Sequence, residues 1–265
     1  MHFPDDVLLS VMAGLDEETV AHSRRVEALV LAIGQSMGLT AAELDALRIG
    51  ASVHDVGKQL IPETILKKKE PLTPMEWAII ETHPQLGYEL VQPLGLSDAV
   101  TEIVLGHHLW ANGQGGYPLN GKLKTPSLLA QITTVADVVD AMTSHRAYRP
   151  ALNPAACLEY LEANAGTRFN EDVVEVFKRK IYPNYRKSGK GDRSFRSFSF
   201  APTGGYGARE KEFKLPPLIY PTGSVDDGGR SNGLEDVPWA FSLKQRSKAW
   251  SCAFRPSPAY FPPVP

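Results

Sequence analysis

The chain has 265 residues, of which 43% are hydrophobic and 22% charged, as expected for a globular protein with a sizeable core. A formal net charge of −2 argues against a dedicated binder of nucleic acids or membrane surfaces, and only two cysteines exclude a disulfide framework. The sequence shows no apolar run of ~18 residues and no signal peptide at its start, so we expect a cytoplasmic protein without a membrane span.

Charge and composition change near residue 186. Residues 1–186 carry 16 Lys and Arg against 23 Asp and Glu, whereas residues 187–265 carry 12 against 7 and are rich in Gly and Pro. We therefore expect a lead-in over 1–15, a folded domain over 16–186 and a flexible, low-complexity tail over 187–265. The aromatic residues of the tail leave a docking role open.

The folded part is predicted to be all-α. Asp16 is a candidate N-cap, Thr40 with Glu43 has the capping-box pattern, and Thr73 precedes Pro74 as at a helix start. Further helix starts are predicted at Ser97, Pro126, Asn153 and Asn170, and the last helix is expected to end around Ile181. We find no alternating strand pattern and no internal repeat.

Several histidines lie where these predicted helices end. His54 is followed by Asp55 at the end of the second helix, and His83 precedes Pro84, where we expect the helix to kink or restart. The pair His107–His108 ends another helix. Imidazole and carboxylate side by side suit Mn, Fe or Zn, whereas a helix cap is the simpler alternative at His83.

Other polar residues lie on apolar helix faces. His22 shares such a face with Glu18, one turn earlier, and Asp137 and Asp140 share one on the long helix after Pro126. A buried carboxylate is costly unless it is paired or binds a metal. His22 could instead be a core histidine, and Glu18 a favourable first-turn charge. Taken together, these nitrogen and oxygen ligands predict a hydrolytic site with two or three metal ions.

The motifs resemble those of the HD-GYP family, the branch of HD-type phosphohydrolases associated with cyclic di-GMP hydrolysis. The motifs occur in the same order as in the family and cover about residues 16–185. They imply a helical bundle of the HD type. The matching stretches are His22–Val26, His54–Lys58, Pro74–Pro84, His107–His108, Gly116–Pro118, Ala136–Ser144 and Arg146–Pro150.

The resemblance also implies roles for individual residues. The metal ligands would be Glu18, His22, His54, Asp55, His83, His107, His108 and Asp137, with Glu18 matching an extra ligand of members that hold three metals. Lys58 would contact a substrate phosphate and be oriented by Asp140, and Asp55, Lys58 and Asp140 would form the catalytic set. Substrate would also meet Gly116, Tyr117, Pro118, Arg146 and Arg149. Family precedent favours iron or manganese. A solvated surface is the alternative for the two arginines.

The sequence departs from the family pattern at two points. Leu109 follows the His–His pair, where the family usually has Glu, and the segment up to Gly116–Tyr117–Pro118 is one residue longer than the commonest form. Neither change removes an expected metal ligand. Both concern the geometry of the loop and the choice of substrate.

The resulting hypothesis is a metal-dependent phosphodiesterase that hydrolyses a cyclic dinucleotide, with cyclic di-GMP as the leading candidate substrate. The product would be the linear dinucleotide, and a second hydrolysis would give GMP. The ligand would be the small-molecule cyclic dinucleotide and not a nucleic-acid polymer, and signalling proteins are candidate partners. One alternative is an HD phosphohydrolase for another nucleotide. Another is a catalytically silent module that binds nucleotides or proteins.

Overall fold

A computed structural model of the chain describes residues 10–118, 125–145 and 150–186, and within these ranges the chain forms helices and no strand. The helices are α1 (Glu17–Ser36), α2 (Ala41–Val53), α3 (Glu63–Leu66), α4 (Pro74–Ile80), α5 (His83–Val91), α6 (Asp98–Gly106), α7 (Leu128–Thr143), α8 (Pro154–Ala163), α9 (Glu171–Val176) and α10 (Tyr182–Tyr185). Two 3-10 turns (Val56–Leu60 and Gln92–Leu94) and a π-helical turn (Phe177–Ile181) complete these elements. The all-α prediction is confirmed for the described residues.

Local capping explains where most helices begin. The Asp16 carboxylate accepts from the Thr19 amide at 2.9 Å, and the Thr40 amide donates to the Glu43 carboxylate at 2.8 Å in a full capping box. The predicted starts at Thr73, Asn153 and Asn170 are likewise N-caps whose side chains accept a backbone N–H. These caps fix each helix start locally.

Two predicted helix limits were wrong. Ser127, not Pro126, caps α7, because its hydroxyl accepts from the Ala130 amide. The last helical stretch does not stop at Ile181 but continues through α10 to Tyr185. The Tyr185 hydroxyl lies 2.5 Å from that of Thr143, which ties this closing segment to the end of α7.

Helix α7 lies at the centre of the described structure. It packs against α1, α2, α6, α8 and α9. Its apolar face is fully buried at Ile132, Val135 and Val139, as are Val26 and Ile33 of α1. This packing brings the polar residues of α1 and α7 together inside the bundle, where a polar group needs a partner.

Parts of the predicted organisation lie outside the described residues. These are most of the 1–15 lead-in and the whole 187–265 tail, so both remain predictions. Among the described helices, none has the length and apolar character needed to cross a membrane.

Candidate metal centre

Three histidines lie at helix ends, and each is held by a backbone carbonyl three residues earlier. The Nδ1–O distances are 2.7 Å for His54 and Ala51, 2.8 Å for His83 and Ile80, and 2.9 Å for His107 and Val104. Carbonyls at a helix end have no partner within the helix, so the imidazole can donate to them. Because a carbonyl only accepts, each Nδ1 carries the proton and each Nε2 keeps a lone pair for a metal.

His22 is held differently, because it lies inside α1. Its Nδ1 is 2.7 Å from Oδ2 of Asp140, a carboxylate that is 2% exposed. The same carboxylate accepts from Arg25 and from the Ser144 hydroxyl. Asp140 therefore orients His22. It does not pair with Lys58, and this part of the sequence prediction was wrong.

The Lys58 ammonium pairs instead with Asp55, at 2.5 Å from Oδ2. Lys58 lies in the 3-10 turn that follows Asp55, and its side chain is 25% exposed. Gly57 lets this turn pack tightly against α5, since a Cβ there would come within 2.0 Å of the His83 carbonyl oxygen. The tight contact places Asp55 beside His83.

The predicted ligands form two adjacent groups. In each group the donor atoms lie within 4.8 Å of one another. The first group consists of Asp55, His83, His107 and His108, and the second of His22, His54 and Asp137. Seven of the eight predicted metal ligands are thus brought together. Glu18 is exposed on the first turn of α1 and belongs to neither group.

Asp55 joins the two groups through its two oxygens. Oδ1 is 3.3 Å from Nε2 of His83 and 4.0 Å from that of His107. Oδ2 is 3.4 Å from Nε2 of His54 and 3.6 Å from that of His22. One carboxylate thus presents one oxygen to each group, as a ligand shared by two cations would.

Buried donor atoms without hydrogen bonds support a metal at this position. In the described part of the chain, the buried side-chain atoms His54 Nε2 and Asp55 Oδ1 have no hydrogen-bond partner, and His22 Nε2 has only the Asp137 carboxylate, 3.1 Å away. An unsatisfied buried polar atom costs about 1–3 kcal/mol. A cation would satisfy both unpartnered atoms, and nitrogen and carboxylate donors without thiolates suit first-row divalent metals.

The electrostatics of the cluster keep most of its ligands ready to bind. Burial, together with the charges of neighbouring histidines, lowers the pKa of His108 to about 3 and that of His107 well below its usual value. Burial alone would raise the pKa of Asp55 and Asp137, but Lys58 near Asp55 and His22 near Asp137 hold both pKa values well below the usual range. The carboxylates are therefore charged at neutral pH, and His107 and His108 are neutral.

His22 is the exception. Burial would lower its pKa, but hydrogen bonds to Asp137 and Asp140 outweigh this and raise the pKa to about 9. A proton therefore occupies His22 at neutral pH in the metal-free protein.

The loop after His108, residues 109–118, folds back over the site. The Trp110 amide donates to the Gly115 carbonyl at 3.0 Å, and the Tyr117 amide donates to the His108 carbonyl at 3.3 Å. Gly116 has φ +85°, and a Cβ there would come within 2.1 Å of the His108 oxygen, so only glycine fits. The turn sets the Tyr117 ring against the His108 ring, with centroids 4.5 Å apart.

A second contact, which sequence reasoning missed, anchors this loop to the segment between α8 and α9. The Ala111 amide donates to the Arg168 carbonyl at 3.0 Å, and the Arg168 guanidinium lies 4.9 Å above the Trp110 ring. Arg168 also donates to the Tyr160 hydroxyl at 2.9 Å. Leu109, at the position where the sequence departs from the family pattern, is buried at 2% exposure.

Two predicted site residues cannot be placed, and one further residue was missed. Arg146 and Arg149 lie outside the described residues. Arg25 was not predicted as a site residue, although it lies three positions after His22 and hence on the same helix face. The three-residue spacing from His22 was the sequence feature that could have identified Arg25 as a site residue.

Comparison with known proteins agrees with this geometry. The family model described as HD domain matches residues 8–173, more than half of the chain. The chain belongs to the HD domain family. Together with the relatives, this match also confirms the HD-GYP assignment that the motifs predicted.

Several curated relatives are about one third identical to this chain. A 3'3'-cGAMP-specific phosphodiesterase 2 of Vibrio cholerae serotype O1 is 32% identical over 64% of this chain and 33% of its own length. Cyclic di-GMP phosphodiesterases of Pseudomonas aeruginosa and Thermotoga maritima are 33% and 32% identical, over 63% and 68% of this chain and 41% and 50% of their own lengths. The chain thus spans between a third and a half of these relatives.

Solved structures show the same fold. The HD domain of the L. monocytogenes phosphodiesterase PgpH, in complex with cyclic-di-AMP, aligns with a TM-score of 0.51 at 18% identity, over 69% of this chain and 96% of that one. A cyclic GMP-AMP specific phosphodiesterase from V. cholerae aligns with a TM-score of 0.51 at 20% identity, over 72% and 52%. The predicted bundle of the HD type is confirmed by these fold matches.

Proposed function

We propose that this HD domain is a metal-dependent phosphodiesterase that hydrolyses a cyclic dinucleotide, with cyclic di-GMP as the first choice of substrate. The observation that carries the proposal is the pair of adjacent donor groups joined by the two oxygens of Asp55. Phosphodiester hydrolysis is the chemistry for which proteins commonly use two neighbouring divalent ions. The relatives named above support the substrate class.

Two divalent ions fit the donor set, and we propose iron or manganese. One ion would take its ligands from His83, His107 and His108, the other from His22, His54 and Asp137, with Asp55 shared between them. A third ion at Glu18 remains a prediction from the sequence. When bound, the two ions would activate a water and offset the charge that develops on the phosphoryl oxygens.

The protein's own residues hold and orient the participants. The carbonyls behind His54, His83 and His107 fix their Nε2 atoms toward the centre. Lys58 would place one positive charge beside a phosphoryl oxygen, since its ammonium already lies at Asp55 and is partly open to solvent. Such a charge stabilises a transition state in which negative charge spreads over the phosphoryl oxygens.

The loop is proposed to form one wall of the substrate site. Tyr117 lies against the His108 ring, and Gly116 lets the loop approach the backbone carbonyl of His108 closely. Arg146 and Arg149 remain predicted phosphate contacts. A cytoplasmic location and control by a signalling protein partner also remain predictions.

The test is a substrate panel. Protein loaded with Mn²⁺ or Fe²⁺ is incubated with cyclic di-GMP, cyclic GMP-AMP and cyclic di-AMP, and the products are separated by chromatography. We expect the linear dinucleotide from cyclic di-GMP as the leading product. If metal-loaded protein cleaves none of the three but cleaves another nucleotide, the alternative hypothesis of an HD phosphohydrolase for another nucleotide would be favoured. Protein that binds no metal would favour the silent binding module.

A further inference from the structure

The unusual feature of this centre is how His22 is oriented. His54, His83 and His107 donate from Nδ1 to carbonyls at helix ends. His22 lies within α1, where the carbonyl one turn earlier already accepts a helix hydrogen bond. His22 therefore needs a side-chain acceptor, and Asp140 of α7 supplies it at 2.7 Å.

Asp140 is a buried carboxylate that must itself be held. Arg25 donates from Nε to Oδ1 at 2.6 Å and from Nη2 to Oδ2 at 3.0 Å. Ser144 donates to Oδ1 at 3.1 Å. With His22, these bonds give each oxygen two donors, which fills the acceptor capacity of a carboxylate. The orientation of Asp140 is thus fully determined.

We propose that Arg25 is a positioning residue, which fixes the second metal-binding group through Asp140 and His22. The inference rests on the proposed metal function. A buried carboxylate without its cation would turn or take up a proton, and the His22 ring would lose its fixed direction. Outer hydrogen-bond partners of this kind affect metal affinity because they set both ring orientation and ligand basicity.

The structure separates this role from a general stabilising one. Within the described residues, Arg25 bonds to the Asp140 that holds His22. In the other group, His83 and His107 are held by backbone carbonyls, His108 lies against the loop, and Asp55 pairs with Lys58. Arg24 is a matched control, because it is the adjacent arginine on the same helix and is exposed. A general loss of packing in the helical bundle would affect both metal groups, whereas a positioning defect affects the group that contains His22.

The experiment is a calorimetric titration of Mn²⁺ into metal-depleted full-length protein. For Arg25→Ala we expect one of two binding steps to weaken by about 10- to 100-fold and the other to stay unchanged. Arg24→Ala should bind as the parent does. Arg25→Lys should be intermediate, because lysine keeps the charge but not the two-pronged geometry. The lysine variant also tests the inference if the alanine variant fails to fold.

A double-mutant cycle with Asp140→Asn gives the second readout. If Arg25 acts through Asp140, then adding Arg25→Ala to Asp140→Asn should cause no further loss of Mn²⁺ affinity. Fully additive losses, or parent-like affinity at both steps in folded Arg25→Ala or Arg25→Lys, would overturn the inference. Parent protein that binds no Mn²⁺ would overturn the proposed function first, so the two failures are distinguishable.

Discussion

Replacing Asp55 with asparagine is the sharpest test of the shared-ligand geometry. The change keeps the side-chain volume but replaces one carboxylate oxygen with an NH₂ donor. The Lys58 ammonium, 2.5 Å from Oδ2, repels a donor at that position. The amide oxygen should therefore face Lys58, and the NH₂ group should face Nε2 of His83, which lies 3.3 Å from Oδ1. The group that contains His83 and His107 thus loses its only carboxylate donor.

The expected effect on metal binding is large. Loss of an outer partner of a metal ligand costs about 10- to 100-fold in affinity. Loss of a shared ligand should exceed this, so we expect a drop of more than about 100-fold, or about 2.7 kcal/mol at 1.36 kcal/mol per decade. We predict the loss of at least one ion and near-complete loss of phosphodiesterase activity.

The fold should survive the change. A neutral amide is less costly to bury than a carboxylate, and its oxygen can still accept from the Lys58 ammonium. The measurements are elemental analysis, turnover of cyclic di-GMP and far-ultraviolet circular dichroism. Asp45→Asn is the matched control, since Asp45 is an exposed carboxylate on α2 paired with Arg48. Full metal content with normal turnover in Asp55→Asn would refute the reasoning.

Three further predictions concern single features of the chain. Lys58→Ala should lower kcat by about 100-fold with unchanged metal content, and a fully active variant would remove Lys58 from the site. A chain ending at Lys187 should stay soluble and active in gel filtration and turnover assays, whereas aggregation or metal loss would show that the tail packs on the domain. Metal affinity should rise with pH until about 9, because His22, with its pKa raised to about 9, must lose a proton to bind. The raised pKa of His22 also adds to the stability of the metal-free fold. This contribution is complete below about pH 6.5 and is lost above about pH 9. Calorimetry in buffers of different ionisation enthalpy should detect the released proton, and its absence at pH 7 would contradict this assignment.

Features that depend on near neighbours in the sequence could be predicted. The capping boxes at Thr40 and Thr73 involve residues three positions apart, and their helices begin where expected. The restart at His83 follows from Pro84, which cannot continue the hydrogen-bond ladder. The placement of histidines at helix ends was therefore available from the sequence.

Features that depend on distant pairings could not be predicted from spacing. Asp140 and Arg25 are 115 residues apart. The spacing from His22 places Arg25 on the same helix face, but it does not show which distant carboxylate Arg25 meets. Lys58 was assigned to Asp140 by resemblance but pairs with Asp55, three residues before it. Glu18 has the right helical spacing to His22, yet it lies in the first turn of α1, where it is exposed.

The contact between the loop and Arg168 has a consequence for the order in which the site is assembled during synthesis. The donor residues of the two metal groups are all made by residue 137, but the support for the loop beside them is not made until residues 167–168. The hydroxyl contact that ties the end of α7 to the closing segment comes later still, at Tyr185. A nascent chain therefore carries the complete donor set before the residues that support the neighbouring loop have been made.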